Sequence, residues 1–233
     1  MRCTLLHGFA GDPLAWNGVI AAWGARLAPD PVALPGHGGG AVQSGWAANV
    51  AALGAALAPH DVVVGYSLGA RLALALLAEG TLAHAVLISV NPGLATDAER
   101  TARRAGDAAW ATLLRTQGVA AFADAWEAQP LFASQARVAP AVLAARRAHR
   151  LAHDPEQLAR ALEHMGLAEM PDYAAALAAA GDRVTLVVGA DDPKFVALAR
   201  ATGLPVVAIP DCGHDPTLEQ PRELARVLAR VIG

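Results

Sequence analysis

The chain has 233 residues, is 55% hydrophobic and carries a formal net charge of −3, which allows one α/β domain with a sizeable core and room for an inserted subdomain. Lys194 is its sole lysine, and without a basic field no nucleic-acid partner is expected. Cys3 and Cys212 lie far apart without C-x-x-C or zinc spacing, which predicts buried thiols in a reducing compartment and no metal. No signal-type region follows Met1 and no apolar run is long enough to span a bilayer, so a cytoplasmic protein without membrane insertion is expected.

Cys3 to Leu6 reads as a short buried strand ending in His7-Gly8-Phe9-Ala10-Gly11, a glycine-bearing loop that leads to Trp16 and a helix through Leu27. A backbone NH of such a loop can form half of an oxyanion hole. As an ordinary βα loop it would leave His7 a structural hydrogen-bonding group. Pro31 to Leu34 is a second strand, and Pro35-Gly36-His37-Gly38-Gly39-Gly40 after it forces a mobile or tightly turned loop, with His37 structural rather than catalytic. Ala47 to Leu57 is an Ala/Leu-rich helix.

The organising stretch is Asp61 to Gly80. Val62-Val63-Val64 is a β-branched run, Gly65-Tyr66-Ser67-Leu68-Gly69 follows, and Ala70 to Ala78 is apolar with strong helix formers. In a G-x-S-x-G turn the glycines allow a sharp bend and remove clashing side chains, so the serine stands above the strand ends. The helix start behind it offers NH groups and a positive dipole end. The alternative is a plain βα turn. Ala85 to Val90 is a further apolar strand, and apolar runs alternating with helices indicate a parallel sheet covered on both faces.

Composition shifts after Asn91-Pro92-Gly93-Leu94. From Ala95 to about Asp172 there is no strand pattern, and nine of the seventeen arginines fall there beside ten acids. A helical cap over 95–172, inserted into a core of 1–94 and 173–233, is expected. Strands resume at Val184 to Val188, before Gly189-Ala190-Asp191-Asp192, and at Pro205 to Ile209, before Pro210-Asp211-Cys212-Gly213-His214. A helix from Pro221 to Ile232 closes the chain.

Serine needs a histidine to take its proton and a carboxylate to hold that histidine. Ser67, then Asp191 or Asp192, then His214 supply these in order, each at the C-terminal end of a predicted strand, where such sheets place their sites.

With these pieces the chain resembles the α/β-hydrolase superfamily over its whole length. More narrowly it resembles the 2-succinyl-6-hydroxy-2,4-cyclohexadiene-1-carboxylate (SHCHC) synthase family of menaquinone biosynthesis. The resemblance is carried by Leu6-His7-Gly8-Phe9, Leu34-Pro35-Gly36-His37-Gly38, Gly65 to Arg71 and Asn91-Pro92-Gly93-Leu94. In the cap it continues through Glu99-Arg100, Arg103, Asp107, Trp110, Phe122, Trp126, Gln129 to Ser134 and Arg150-Leu151.

The resemblance implies a lyase that expels pyruvate from 2-succinyl-5-enolpyruvyl-6-hydroxy-3-cyclohexene-1-carboxylate after loss of a ring proton. Ser67, activated by His214, would be the base, and the G-x-x-D pattern selects Asp192 as the third member. The backbone NH groups of Phe9 and Leu68 would stabilise developing charge. Arg71, one turn beyond Ser67 in an apolar helix, wants an anion unless it pairs with a structural acid or reaches the surface. Arg103 and Arg150 match the family's carboxylate-binding arginines, whereas Arg104, Arg146 and Arg147 read as solvated helix charges. Tyr66 and Trp126 line the pocket or pack in the core.

The family tyrosine after the tryptophan is Glu127 here, and the Ser89-Val90-Asn91 approach to Pro92-Gly93 is shorter and lacks an acid. The expected partner is a small polycarboxylate substrate, with no cofactor and no obligate protein partner. A carboxyl-ester hydrolase working through an acyl-enzyme is the alternative. A catalytically silent ligand-binding member is a third, against which the intact triad argues.

Overall fold

Six strands, β1 (Cys3–Leu6), β2 (Pro29–Val32), β3 (Val62–Tyr66), β4 (Ala85–Ile88), β5 (Val184–Gly189) and β6 (Val206–Ile209), form one sheet in the order β2-β1-β3-β4-β5-β6. Every neighbouring pair is parallel. The computed structural model describes residues 3–24, 28–57 and 62–232. Leu5, Val64, Val86 and Val187 point to one face and Leu6, Val63, Leu87 and Leu186 to the other, as the alternation of side chains along a strand requires. Both sets are buried, which is why the strands read as unbroken apolar runs.

On the first face lie α1 (Asn17–Trp23) and the C-terminal α10 (Pro221–Val231), through Val19, Trp23, Leu224 and Leu228. The second face is covered by α2 (Trp46–Ala56) and α3 (Leu68–Ala78), through Val50, Leu53, Leu72 and Leu76.

Helices alone occupy the chain between β4 and β5 among the described residues: α4 (Asp97–Glu127), α5 (Pro140–Leu151), α6 (Pro155–Met165) and α7 (Ala174–Ala178). Thr96 opens α4 with a capping box, its hydroxyl accepting from the Glu99 amide at 3.2 Å while the Glu99 carboxylate accepts from the Thr96 amide at 3.0 Å. Gly118 breaks α4 at φ 77°, ψ −179°. Trp110 and Trp126 have ring centroids 5.3 Å apart, whereas sixteen residues of straight helix would separate them by about 24 Å. The helix therefore folds back on itself. Ala111, Leu114 and Phe122 of α4 pack with Leu158 and Leu162 of α6 and with Ala10 of the β1 loop, joining this segment to the sheet.

Helices α8 (Pro193–Ala201) and α9 (Pro216–Glu219) follow β5 and β6. No helix among the described residues is long and apolar enough to cross a membrane.

Several boundaries differ from expectation. β2 lies at Pro29–Val32 rather than Pro31–Leu34, and the Leu34 amide donates instead to His7 Nε2 at 3.1 Å. β4 stops at Ile88 because Ser89 turns to φ 50°. α1 ends at Trp23, with Gly24 left-handed at φ 59°. The expected end of that helix at Leu27, and Asp61, lie outside the described residues.

Candidate active site

The loops after β1, β3, β4, β5 and β6 meet at one end of the sheet, and Ser67 stands between β3 and α3 with φ 51° and ψ −105°. An L-residue holds that conformation only when its surroundings compel it. A Cβ on Gly65 would collide with the Gly69 carbonyl, and one on Gly69 with the Leu6 carbonyl. On Gly8 it would lie 2.7 Å from Tyr66 Cε1. The Ser67 amide donates to Ile88 O at 2.9 Å and the Gly69 amide to His7 O at 3.1 Å, tying the turn to both flanking strand ends.

His214 Nδ1 donates to Asp192 Oδ2 at 2.9 Å, and Nε2 lies 3.4 Å from Ser67 Oγ. Histidine and aspartate are both buried. The other oxygen of Asp192 accepts from the Phe195 amide at 3.2 Å, capping α8. That fixes the carboxylate, which in turn fixes the imidazole tautomer. The Ser89 hydroxyl donates to the His214 carbonyl at 3.0 Å, and the Phe195 ring lies 4.4 Å from the imidazole. Asp191 instead pairs with Arg137 at 2.7 Å on the exposed surface. Among the described residues no backbone carbonyl accepts from the amides of Phe9 and Leu68, and both residues line the same cavity as Ser67. Two free NH groups beside a serine, one of them at a helix start, can receive an oxyanion.

His7 and His37 brace this loop. His37 Nε2 accepts from the Ala10 amide at 3.0 Å and Nδ1 donates to Pro35 O at 2.9 Å. His7 likewise accepts from Leu34 and donates from Nδ1 to Gly8 O at 2.8 Å. Each ring is used as donor and acceptor, so each must be neutral. Burial pushes His7 down to about 4 and His37 well below its ordinary value.

The cavity holds about 590 Å³ and is lined by Ser67, His214, Arg71, Arg103, Tyr66 and Trp126 among others. Arg71 Nη1 donates to the Met165 carbonyl at 3.0 Å and the guanidinium lies 5.7 Å from the Trp46 ring centre. No carboxylate of the described residues ion-pairs with it. Desolvation, then the like charge of Arg103, draws its pKa down to about 9 against the opposing pull of Asp107. It remains a cation at neutral pH, one that a bound anion would stabilise. Arg103 Nε donates to both oxygens of Asp107, at 2.9 and 2.8 Å.

Arg150 lies outside this cavity, paired with Glu127 beside an adjoining cavity of about 380 Å³. Arg146 is not a solvated helix charge. Its side chain is 14% exposed and donates to Asp215 at 3.1 Å, because Asp215 is itself buried in capping α9. Arg104 and Arg147 pair at the surface with Glu169 and with Asp124 and Glu127.

The sequence profile of the alpha/beta hydrolase family matches residues 5–227. The chain belongs to the alpha/beta hydrolase family. Within it, the chain is 34% identical over 240 residues to the 2-succinyl-6-hydroxy-2,4-cyclohexadiene-1-carboxylate synthase of Escherichia coli O7:K1, covering 98% of this chain and 92% of that protein. It is 33% identical, at the same coverage, to the enzyme of that name from Shigella boydii serotype 4. Among solved structures, MenH from S. aureus aligns with a TM-score of 0.90 at 25% identity, covering 100% of this chain and 93% of that one. An esterase from Thermogutta terrifontis aligns at 0.78 and 24% identity, covering 99% and 88%, a likeness of fold.

This alpha/beta hydrolase also brings Ser89, Asn91, Gln129 and Lys194 to the cavity wall. A sole lysine two residues beyond Asp192 was a readable signal. The sequence gives Ser89 no role, because that role depends on a positive φ and on a carbonyl 125 residues away.

Proposed function

We propose that this alpha/beta hydrolase is a carbon–oxygen lyase that eliminates pyruvate from 2-succinyl-5-enolpyruvyl-6-hydroxy-3-cyclohexene-1-carboxylate, giving the product for which its relatives are named. The observation that carries the reading is Arg71, a cation without a carboxylate partner among the described residues, one helical turn from Ser67 in the same cavity. A site for neutral esters has no use for it. A small polycarboxylate supplies the missing anion.

In this reading Asp192 orients His214, which takes the Ser67 proton, and the serine oxygen removes the ring proton. Electrons move through the ring and expel the enolpyruvyl oxygen, and the released enolate becomes pyruvate by taking up one proton at its methylene carbon, which balances the proton that His214 gives up to return to the neutral form. The Phe9 and Leu68 amides stabilise the transient anion. Arg71 and Arg103 hold substrate carboxylates, Tyr66 and Trp126 form the walls, and 95–172 acts as a cap over a core of 1–94 and 173–233. Cys3 and Cys212, both buried thiols, fit a protein of the cytoplasm.

The same triad and amides would serve a carboxyl-ester hydrolase. Pyruvate release, followed through lactate dehydrogenase and NADH, tests the lyase directly. Absence of pyruvate, with turnover of neutral esters, would move the assignment to the hydrolase.

A further inference from the structure

Glu127, the last residue of α4, sits between two guanidinium groups: one oxygen accepts from Arg150 Nη1 and the other from Arg147 Nη1 at 2.7 Å. The two arginines differ. The Arg147 side chain is 32% exposed and has a second partner in Asp124 at 2.6 Å. Arg150 is 13% exposed, and its Nε is buried with no acceptor among the described residues. Glu127 thus holds Arg150 through Nη1 and leaves the Nε edge of the guanidinium unpaired.

Arg150, Arg146 and Glu127 line the 380 Å³ cavity, and Gln129, Pro130 and Phe132 wall both that cavity and the one that holds Ser67. The Phe132 ring is 6.1 Å from the His214 imidazole. One layer of side chains thus separates Arg150 from the triad.

We propose that Glu127 is an internal carboxylate occupying the anion site of Arg150 before substrate binds, and that a substrate carboxylate reaches Arg150 by displacing it while Glu127 stays on Arg147. The inference rests on the reading of the ligand as a small polycarboxylate. Without Glu127 a mostly buried guanidinium would stand unpaired, which is strongly destabilising. With it, the resting protein is stable but each incoming anion competes with a tethered one, so apparent affinity is reduced by the fraction of Arg150 left open. Exchange of one carboxylate for another costs little, because Glu127 keeps its exposed partner. Glu127 is then a specificity-determining residue that disfavours ligands with a single weak carboxylate.

The probe is succinate, titrated calorimetrically into the full-length protein at low and high salt, with no turnover required. Glu127→Gln should bind it roughly tenfold more tightly, since the competing charge is gone. The gain should vanish in Glu127→Gln/Arg150→Ala. The melting temperature of Glu127→Gln should fall in buffer and recover on adding succinate, and for the full substrate KM should fall by more than kcat changes. Unchanged or weaker succinate binding in a natively folded Glu127→Gln would overturn the proposal, as would a gain that survives loss of Arg150. Should Glu127→Gln not fold, Glu127→Asp, which keeps the charge but shortens its reach, should give a smaller gain, and no gain would again be decisive. If succinate behaved as expected while the wild type released no pyruvate, the lyase reading alone would fall.

Discussion

Arg71 and Met165 are joined by a hydrogen bond of 3.0 Å from a guanidinium to a neutral carbonyl. It satisfies one donor and leaves the guanidinium without an ion-pair partner among the described residues. Arg71→Ala should lower kcat/KM for the polycarboxylate by roughly 10²- to 10³-fold, the cost of leaving a desolvated charge partner unpaired. Hydrolysis of p-nitrophenyl acetate should be spared. Arg71→Lys should recover only part of the loss, because an ammonium lacks the planar fork. Equal losses on charged and neutral substrates would argue against anion recognition by Arg71.

Ser67 and His214 should behave as one unit. Each alanine variant is expected to lose on the order of 10³-fold or more in kcat, and the double variant little beyond either single one. Steady-state rates with circular dichroism as a folding control make the comparison. Additive losses would mean that the serine does not depend on the histidine.

The two elbow glycines should be intolerant for steric reasons. Gly69→Ala drives a methyl into the Leu6 carbonyl, and a loss of about 3 kcal/mol or more is expected from such backbone overpacking. Gly106→Ala is the contrast: it lies within α4, and an added methyl would meet open space there, so a gain of up to about 1 kcal/mol is expected. Urea midpoints decide both.

Stability should decline between pH 6.5 and 5. His7 is held down to about 4 by burial, so over that window the unfolded chain takes up a proton that the folded one refuses. The stabilisation is complete above the unfolded value and is lost as pH falls toward the folded one. By pH 5 His7 alone should cost about 2 kcal/mol, with His37 adding in the same direction. Denaturation curves at pH 7.5, 6 and 5 test this, and a stability flat across that range would contradict it.

Local rules explain what the sequence revealed. β-branched runs, the glycines around Ser67 and the placement of Asp192 and His214 at strand ends are all short-range signals, and the sheet topology merely brings their loops together. Side-chain partners set by packing of distant helices were not readable. Arg146 and Arg150 are four residues apart on α5, yet one reaches Asp215 and the other Glu127. Helical periodicity puts both on one face but cannot say what that face meets. Strand ends depart from expectation where a side chain takes over a backbone partner, as His7 does for Leu34.

Gly118 has a further meaning for how the chain tolerates change. Arg103 and Trp110 precede it, Trp126 and Glu127 follow it, and the reversal there brings the two tryptophans together. Each residue added or removed between Val119 and Ala125 would rotate the second arm by about 100°, carrying Trp126 off the cavity wall and Glu127 away from Arg150. Substitutions along that arm can be absorbed one at a time, whereas its length is locked to the phase of the helix.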